Sequence, residues 1–457
     1  LVRAPLRKKL WVGAGGVALF VSILLVFCLV ASAHDGKKRS VGLDFIAFYT
    51  AGTFVRQGQA GLMYDISACQ HFQHDLAASF GIDIGSAVGP WWNPPFYAWV
   101  FVPLSRLPYL TALRVWLAID CISAAAACWL LVRMLPKGTH WKSWALVPVL
   151  LVLSMPFLQC MTHAQNSCTS LLILAAAVAA WRAERGVLAG LAMGLLFYKP
   201  QLGAVLAIVL ILDLGWSALL GLGITGAALL AINLTTLPGS LTDYLNRLPA
   251  NIRFVQTQVP YMWDRHVTIK AFWRLAFQGR TAGPAQGIVL ALTALCVGML
   301  GFFLTTTVWR YRQSRRTGVV GDVAGKIPPQ SGGLMEGVSR DRLISAAIAT
   351  TPLLMPFYFD YDQLLLAVPA VLFAAEWLRR PAAYSTTKLD RLLLIVWPIY
   401  YCVLILNPDI AEATHANLAV PLLATIAVAN IARLRQPGHI IPVATPIPAT
   451  VRHARAA

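Results

Sequence analysis

Apolar runs recur along this chain in a number that no soluble fold accommodates. Twelve stretches dominated by Leu, Ala, Val and Ile lie near 10–33, 112–132, 144–160, 167–181, 186–199, 202–215, 216–236, 287–308, 343–357, 363–378, 391–406 and 417–433. They lack period-two alternation, so they read as helices rather than as strands of a membrane barrel. Charged residues are only 12% of the 457, about half the share of a soluble domain. The prediction is an all-α polytopic membrane protein of about twelve transmembrane helices. Several runs are shorter than the roughly 20 residues a crossing helix needs, which points to broken or partly immersed segments.

The first run follows LVRAPLRKKL and ends at Ala31-Ser32-Ala33, the outline of a signal peptide. Its apolar stretch of about 22 residues exceeds an h-region of roughly 7–15, so it is read as an uncleaved span with a cytoplasmic start. Residues 94–108 (PPFYAWVFVPLSRLP) form a thirteenth apolar stretch with four prolines, and whether it crosses decides the side of everything after it. Charge resolves this. With 94–108 at the surface or re-entrant, 24 of the 37 Lys and Arg fall on cytoplasmic segments, against 13 outside. That asymmetry obeys the positive-inside rule, and the opposite choice would export WRYRQSRR (309–316). The expected location is a bacterial-type cytoplasmic membrane, with both termini cytoplasmic. One transmembrane domain, 1–436, contains a first outer loop (34–111), a second outer loop (237–286) and a flexible cytoplasmic linker (309–342). Residues 437–457 read as a disordered basic tail.

The net charge of +18 is dispersed among apolar runs, which excludes nucleic acid as a partner. Most cysteines lie in or beside apolar segments without a C-x-x-C pair and read as small packing residues. His71 and His74 stand beside Asp75 without a further ligand pattern for zinc. The chain has neither a phosphate-binding G-x-x-x-x-G-K-[ST] loop nor a G-x-G-x-x-G turn after a strand.

On the outer side this topology gathers most of the unusual polar residues. Asp44 opens GLDFIAFYTAGTFVRQGQAGLMYD (42–65) and has two readings, helix N-cap or general base. Lys199 in YKPQ (198–201) stands where Pro200 breaks a helix, placed to hold a phosphate or to snorkel as an anchor. His163, Gln165 and Asn166 form a polar corner suited to a sugar or to the backbone. In WDRHVTIKAFWRL (263–275), Arg265, His266 and Lys270 offer cations for a phosphate, or contacts to anionic lipid. Tyr49, Asp65, Trp92, Asn93 and Gln201 join Gln165 and Asn166 as candidates for sugar or acceptor contacts. Asp360 and Asp362 could orient sugar hydroxyls or bind a cation, although D-x-D is a common chance pattern.

The order of these features resembles glycosyltransferase family 87, over roughly residues 40–380. The resemblance is carried by Asp44, Gly58, Tyr64 and Asp65, then Pro94, Pro95, Pro103, Leu104, Leu107 and Pro108, then Gln165 and Asn166, then Gly190, Gly194, Lys199 and Pro200. It implies a GT-C fold and transfer of a sugar, mannose first, from a polyprenyl-phosphate donor to a lipid-linked or glycan acceptor outside the membrane. Transfer would proceed with inversion, with Asp44 as general base and no cofactor required. Many members carry a histidine near the corner that here reads FDYDQ, so Asp360 and Asp362 depart from the pattern. Two other classes stay open: a lipid or sugar transporter or flippase, and a polysaccharide polymerase or ligase, for which Arg247, Arg253 and Arg265 would bind a diphosphate.

Overall fold

The computed structural model describes residues 42, 44–85, 87–258, 261–317, 329–380 and 386–436. The first predicted span, 10–33, and the tail, 437–457, lie outside the described residues. Among the described residues every regular element is a helix, and the one β-bridge joins His266 to Phe359. Five helices are long and apolar enough to cross a membrane: Tyr109–Met134, Trp216–Thr236, Gly287–Arg315, Tyr361–Arg379 and Lys388–Thr414. A sixth crossing arises if Ser143–Val152 and Met155–His163, bent by 43°, act as one. Helices suit this medium because each satisfies its own backbone hydrogen bonds where no water can.

Other apolar runs form short helices, Ser167–Arg182, Gly186–Tyr198 and Pro200–Leu214. Residues 94–108 form two 3-10 turns, Pro95–Phe101 and Leu104–Arg106, too short to cross. They pack on Phe45–Arg56 with Phe48 stacked on Phe101 at 4.7 Å. The stretch expected as a flexible linker, 309–342, is instead helical at both ends, continuing Gly287–Thr317 and opening Pro329–Leu354.

Two local devices set the geometry. At the bend, Ser154 Oγ accepts from Phe157 N, and Pro156 sits in the first turn of Met155–His163, where its missing N–H costs nothing. The second device is a close crossing of Gly186–Gly194 over Trp216–Thr236. A Cβ on Gly190 would lie 2.2 Å from the Ala218 carbonyl oxygen, and one on Gly221 would lie 2.1 Å from that of Val187. Small residues every fourth position let the two backbones touch. This fixes the helix that runs on through Leu195–Tyr198 to Lys199.

Charged groups separate to opposite ends of the bundle. Helix Ser167–Arg182 shows the span: Ser167 Oγ meets Asp362 at one end, and Arg182 meets Asp341 about 22 Å away. At the Arg182 end, Asp213 pairs with Arg315 and Arg340, while Glu376 pairs with Arg342, Arg380 and Arg433. Every ion pair among the described residues joins two groups that the charge count assigns to one side.

Gly190→Ala should lower the thermal stability of the detergent-purified protein by about 1–3 kcal/mol, because the backbone behind it cannot give way. Gly223→Ala, two residues on from Gly221 and facing open space, should leave the melting curve unchanged. Equal effects would remove the crossing as a structural constraint.

Candidate active site

Three consecutive residues assemble the cluster at the Asp362 end of the bundle. Ala164 adopts a left-handed conformation, φ 52°, which ends Met155–His163 and sets Gln165, Asn166 and Ser167 across the turn. Gln165 Nε2 donates to Asp44 Oδ2 at 2.7 Å. Asn166 Oδ1 accepts from Lys199 Nζ at 3.2 Å. Ser167 Oγ donates to Asp362 Oδ1 at 2.7 Å, and the same carboxylate oxygen accepts from Lys199 Nζ at 2.8 Å. Residues 121 and 163 positions apart in sequence are thereby brought to one corner.

Asp44 occupies the N-cap position of Phe45–Arg56, yet its side chain makes no cap hydrogen bond. Its backbone is tied to the corner instead, with Asp44 N donating to the His163 carbonyl at 3.2 Å. His163 Nδ1 stands 3.6 Å from the Asp44 carboxylate, near but beyond hydrogen-bonding reach. The Asp44 side chain keeps 39% of its surface exposed, against 9% for Asp360 and 1% for Asp362, so of the three acids it is the one open to an incoming hydroxyl.

A second ion pair adjoins the first. Arg265 grips Asp360 through Nε and Nη2, both at 2.9 Å. Burial opposes the charge on Arg265, but Asp360 outweighs it and holds the guanidinium more firmly protonated than a free arginine. Backbone bonds from Asp360 N to Arg265 O and from Val267 N to Tyr358 O pin the two strands of chain together. The Tyr361 ring lies between the cations, 5.0 Å from Lys199 Nζ and 5.8 Å from the Arg265 guanidinium. Lys199 thus retains one N–H, and Arg265 its Nη1, uncommitted among the described residues.

Other candidates have different surroundings. His266 is wholly buried, its Nε2 2.9 Å from Tyr261 Oη and its ring against Phe359. Burial, reinforced by Arg265 and Lys270, pulls its pKa down to about 3, so it is neutral near pH 7. Lys270 lies over the rings of Trp263 and Phe357, with its pKa lowered by burial and by Arg274. Asp65 caps Ile66–Ala78 through Ala68 N and meets Arg247, which also meets Asp243. Tyr49 Oη donates to the Leu107 carbonyl, and the Asn93 carbonyl accepts from Tyr64 Oη. Trp92 is exposed and Gln201 half-buried. Ser167 and Tyr361 escaped the sequence reading. The serine's only signal was its place after Gln165 and Asn166, and the tyrosine's was its place between two acids.

Beside the cluster lies an apolar cleft of about 640 Å³, lined by Phe96, Tyr97, Trp99, Trp116, Tyr198 and Ile232 among others. Two of its walls belong to the corner: Tyr97 and Tyr198 stack at 4.3 Å, Asn166 Nδ2 donates to Tyr97 Oη at 3.2 Å, and Tyr198 directly precedes Lys199. A polar head at Lys199 and an apolar tail in the cleft would therefore be neighbours.

A search of curated proteins returned no match. The profile of glycosyltransferase family 87 matches residues 91–325, more than half the chain. The match takes in the 165–167 corner, Lys199, Arg265 and the whole lining of the cleft, and does not reach Asp44, Asp360 or Asp362. Two ion-paired cations, an open carboxylate and an apolar cleft thus occur in a chain that belongs to glycosyltransferase family 87.

Proposed function

We propose that this glycosyltransferase moves a hexose, mannose first, from a polyprenyl-phosphate carrier to an acceptor hydroxyl on the extracytoplasmic face of a cytoplasmic membrane. The observation that carries the reading is the single corner 165–167, which sets an exposed carboxylate, a held lysine and an apolar cleft side by side. The lysine and arginine count supports the sidedness and a twelve-span topology with cytoplasmic termini.

In this reading the carrier's isoprenoid chain lies in the cleft. Its phosphate meets the remaining N–H groups of Lys199 and Arg265, whose carboxylate partners keep both cations charged and in place. Asp44 accepts the proton as the acceptor oxygen attacks the anomeric carbon. The bond from that carbon to the phosphate oxygen breaks on the opposite face, giving inversion. The electron pair leaves with the phosphate, whose added negative charge the two cations stabilise. Gln165 holds the Asp44 carboxylate toward the reaction. No step requires a nucleotide.

Asp44→Asn should leave the protein inserted and able to bind donor while lowering transfer by roughly 10²–10⁴-fold. Retained turnover with labelled polyprenyl-phosphate mannose would remove Asp44 from the base role. Lys199→Ala should weaken donor binding roughly tenfold or more, with little change in acceptor binding. The double variant Lys199→Ala/Asp362→Asn separates loss of the cation from the burial of an unpaired carboxylate, and equal losses for donor and acceptor in both variants would make the lysine purely structural.

A further inference from the structure

Asp120, Cys160 and Cys168 converge beneath the same corner from three helices, Tyr109–Met134, Met155–His163 and Ser167–Arg182. Their ligand atoms all lie within 4.8 Å of one another, and all three residues are buried. Neither Asp120 oxygen has a hydrogen-bond partner, although the residue is wholly enclosed. A carboxyl group in that position is costly unless something ligates it. The cysteines are 3.7 Å apart, sulfur to sulfur. That is far beyond a covalent bond and matches the edge of about 3.8 Å that two sulfurs form around a tetrahedral zinc ion at about 2.3 Å each.

We propose that these three side chains bind one zinc ion, which fastens Tyr109–Met134 to both arms of the corner that carries Gln165, Asn166 and Ser167. Two sulfurs and one oxygen suit a borderline-soft cation and exclude magnesium and calcium, which take oxygen ligands. On binding, the two thiols and the carboxylic acid release their protons to water, and water completes the fourth position. The role is positional and independent of which sugar or carrier the enzyme uses. It replaces the reading of these two cysteines as packing residues.

The test loads the full-length protein in detergent with zinc sulfate, removes excess by desalting and counts zinc per chain by mass spectrometry. One zinc per chain is expected, with X-ray absorption at the zinc edge reading two sulfurs at about 2.3 Å. Asp120→Asn and the double variant Cys160→Ala/Cys168→Ala should lose it, whereas Cys69→Ala, a buried cysteine elsewhere, should keep it. Zinc well below one per chain, an absorption spectrum without sulfur, or equal loading of the double variant would overturn the site. So would a Cys160–Cys168 disulfide in the protein as isolated. Because the absorption measurement needs only the unmodified chain, it decides the question even if the variants do not fold.

Discussion

Lys199 is 7% exposed among apolar helices, and an ammonium so placed must have a counter-charge. Asp362 supplies it from 163 residues away. Removing one member of such a pair leaves the other charge stranded, at a cost of about 3–5 kcal/mol, so the pair sets the register of the elements that bear it. Those elements are the helix braced at Gly190, the corner that presents Ser167, and the turn that begins Tyr361–Leu366. Arg265 and Asp360, the residue before Tyr361, repeat the arrangement and tie in the segment that carries Arg265.

The same logic operates at the far end of the bundle without forming a comparable open site. There the ion pairs of Asp213, Asp341, Glu376 and Asp390 with arginines join helices end to end, and their acids are buried. At the corner, by contrast, Asp44 stays open and is held by a neutral amide rather than by a cation. A carboxylate so held keeps its lone pairs available, which distinguishes a group ready for proton transfer from one locked into a bridge.

The helical class and the segregation of polar residues were legible because membrane solvent imposes long apolar runs and because lysine and arginine distribute unequally across it. Gln165, Asn166 and Lys199 were legible as polar interruptions of such runs. What pattern alone left open at Asp44 was whether its side chain capped a helix, since an N-cap position and a solvent-facing carboxylate look identical until Gln165 is placed beside it. The basic loop divides in a way its sequence does not show: Arg265, His266 and Lys270 are close in sequence, but only Arg265 joins the Asp360–Asp362 cluster, while His266 fills an aromatic pocket. Distance along a chain cannot reveal which face of an irregular loop is turned inward. The segment 309–342 read as a linker from its charges and glycines, yet much of it continues the flanking helices, whose propagation outlasts the apolar run.

The most direct measurement of the central claim is an electron cryomicroscopy structure of the full chain in lipid with a non-transferable polyprenyl-phosphonate sugar. The account predicts the phosphonate against Lys199 and Arg265, the isoprenoid chain along Tyr97 and Tyr198, and the anomeric carbon turned toward Asp44. Density for the sugar at the opposite end of the bundle, or an Asp44 carboxylate facing away from a bound donor, would contradict it.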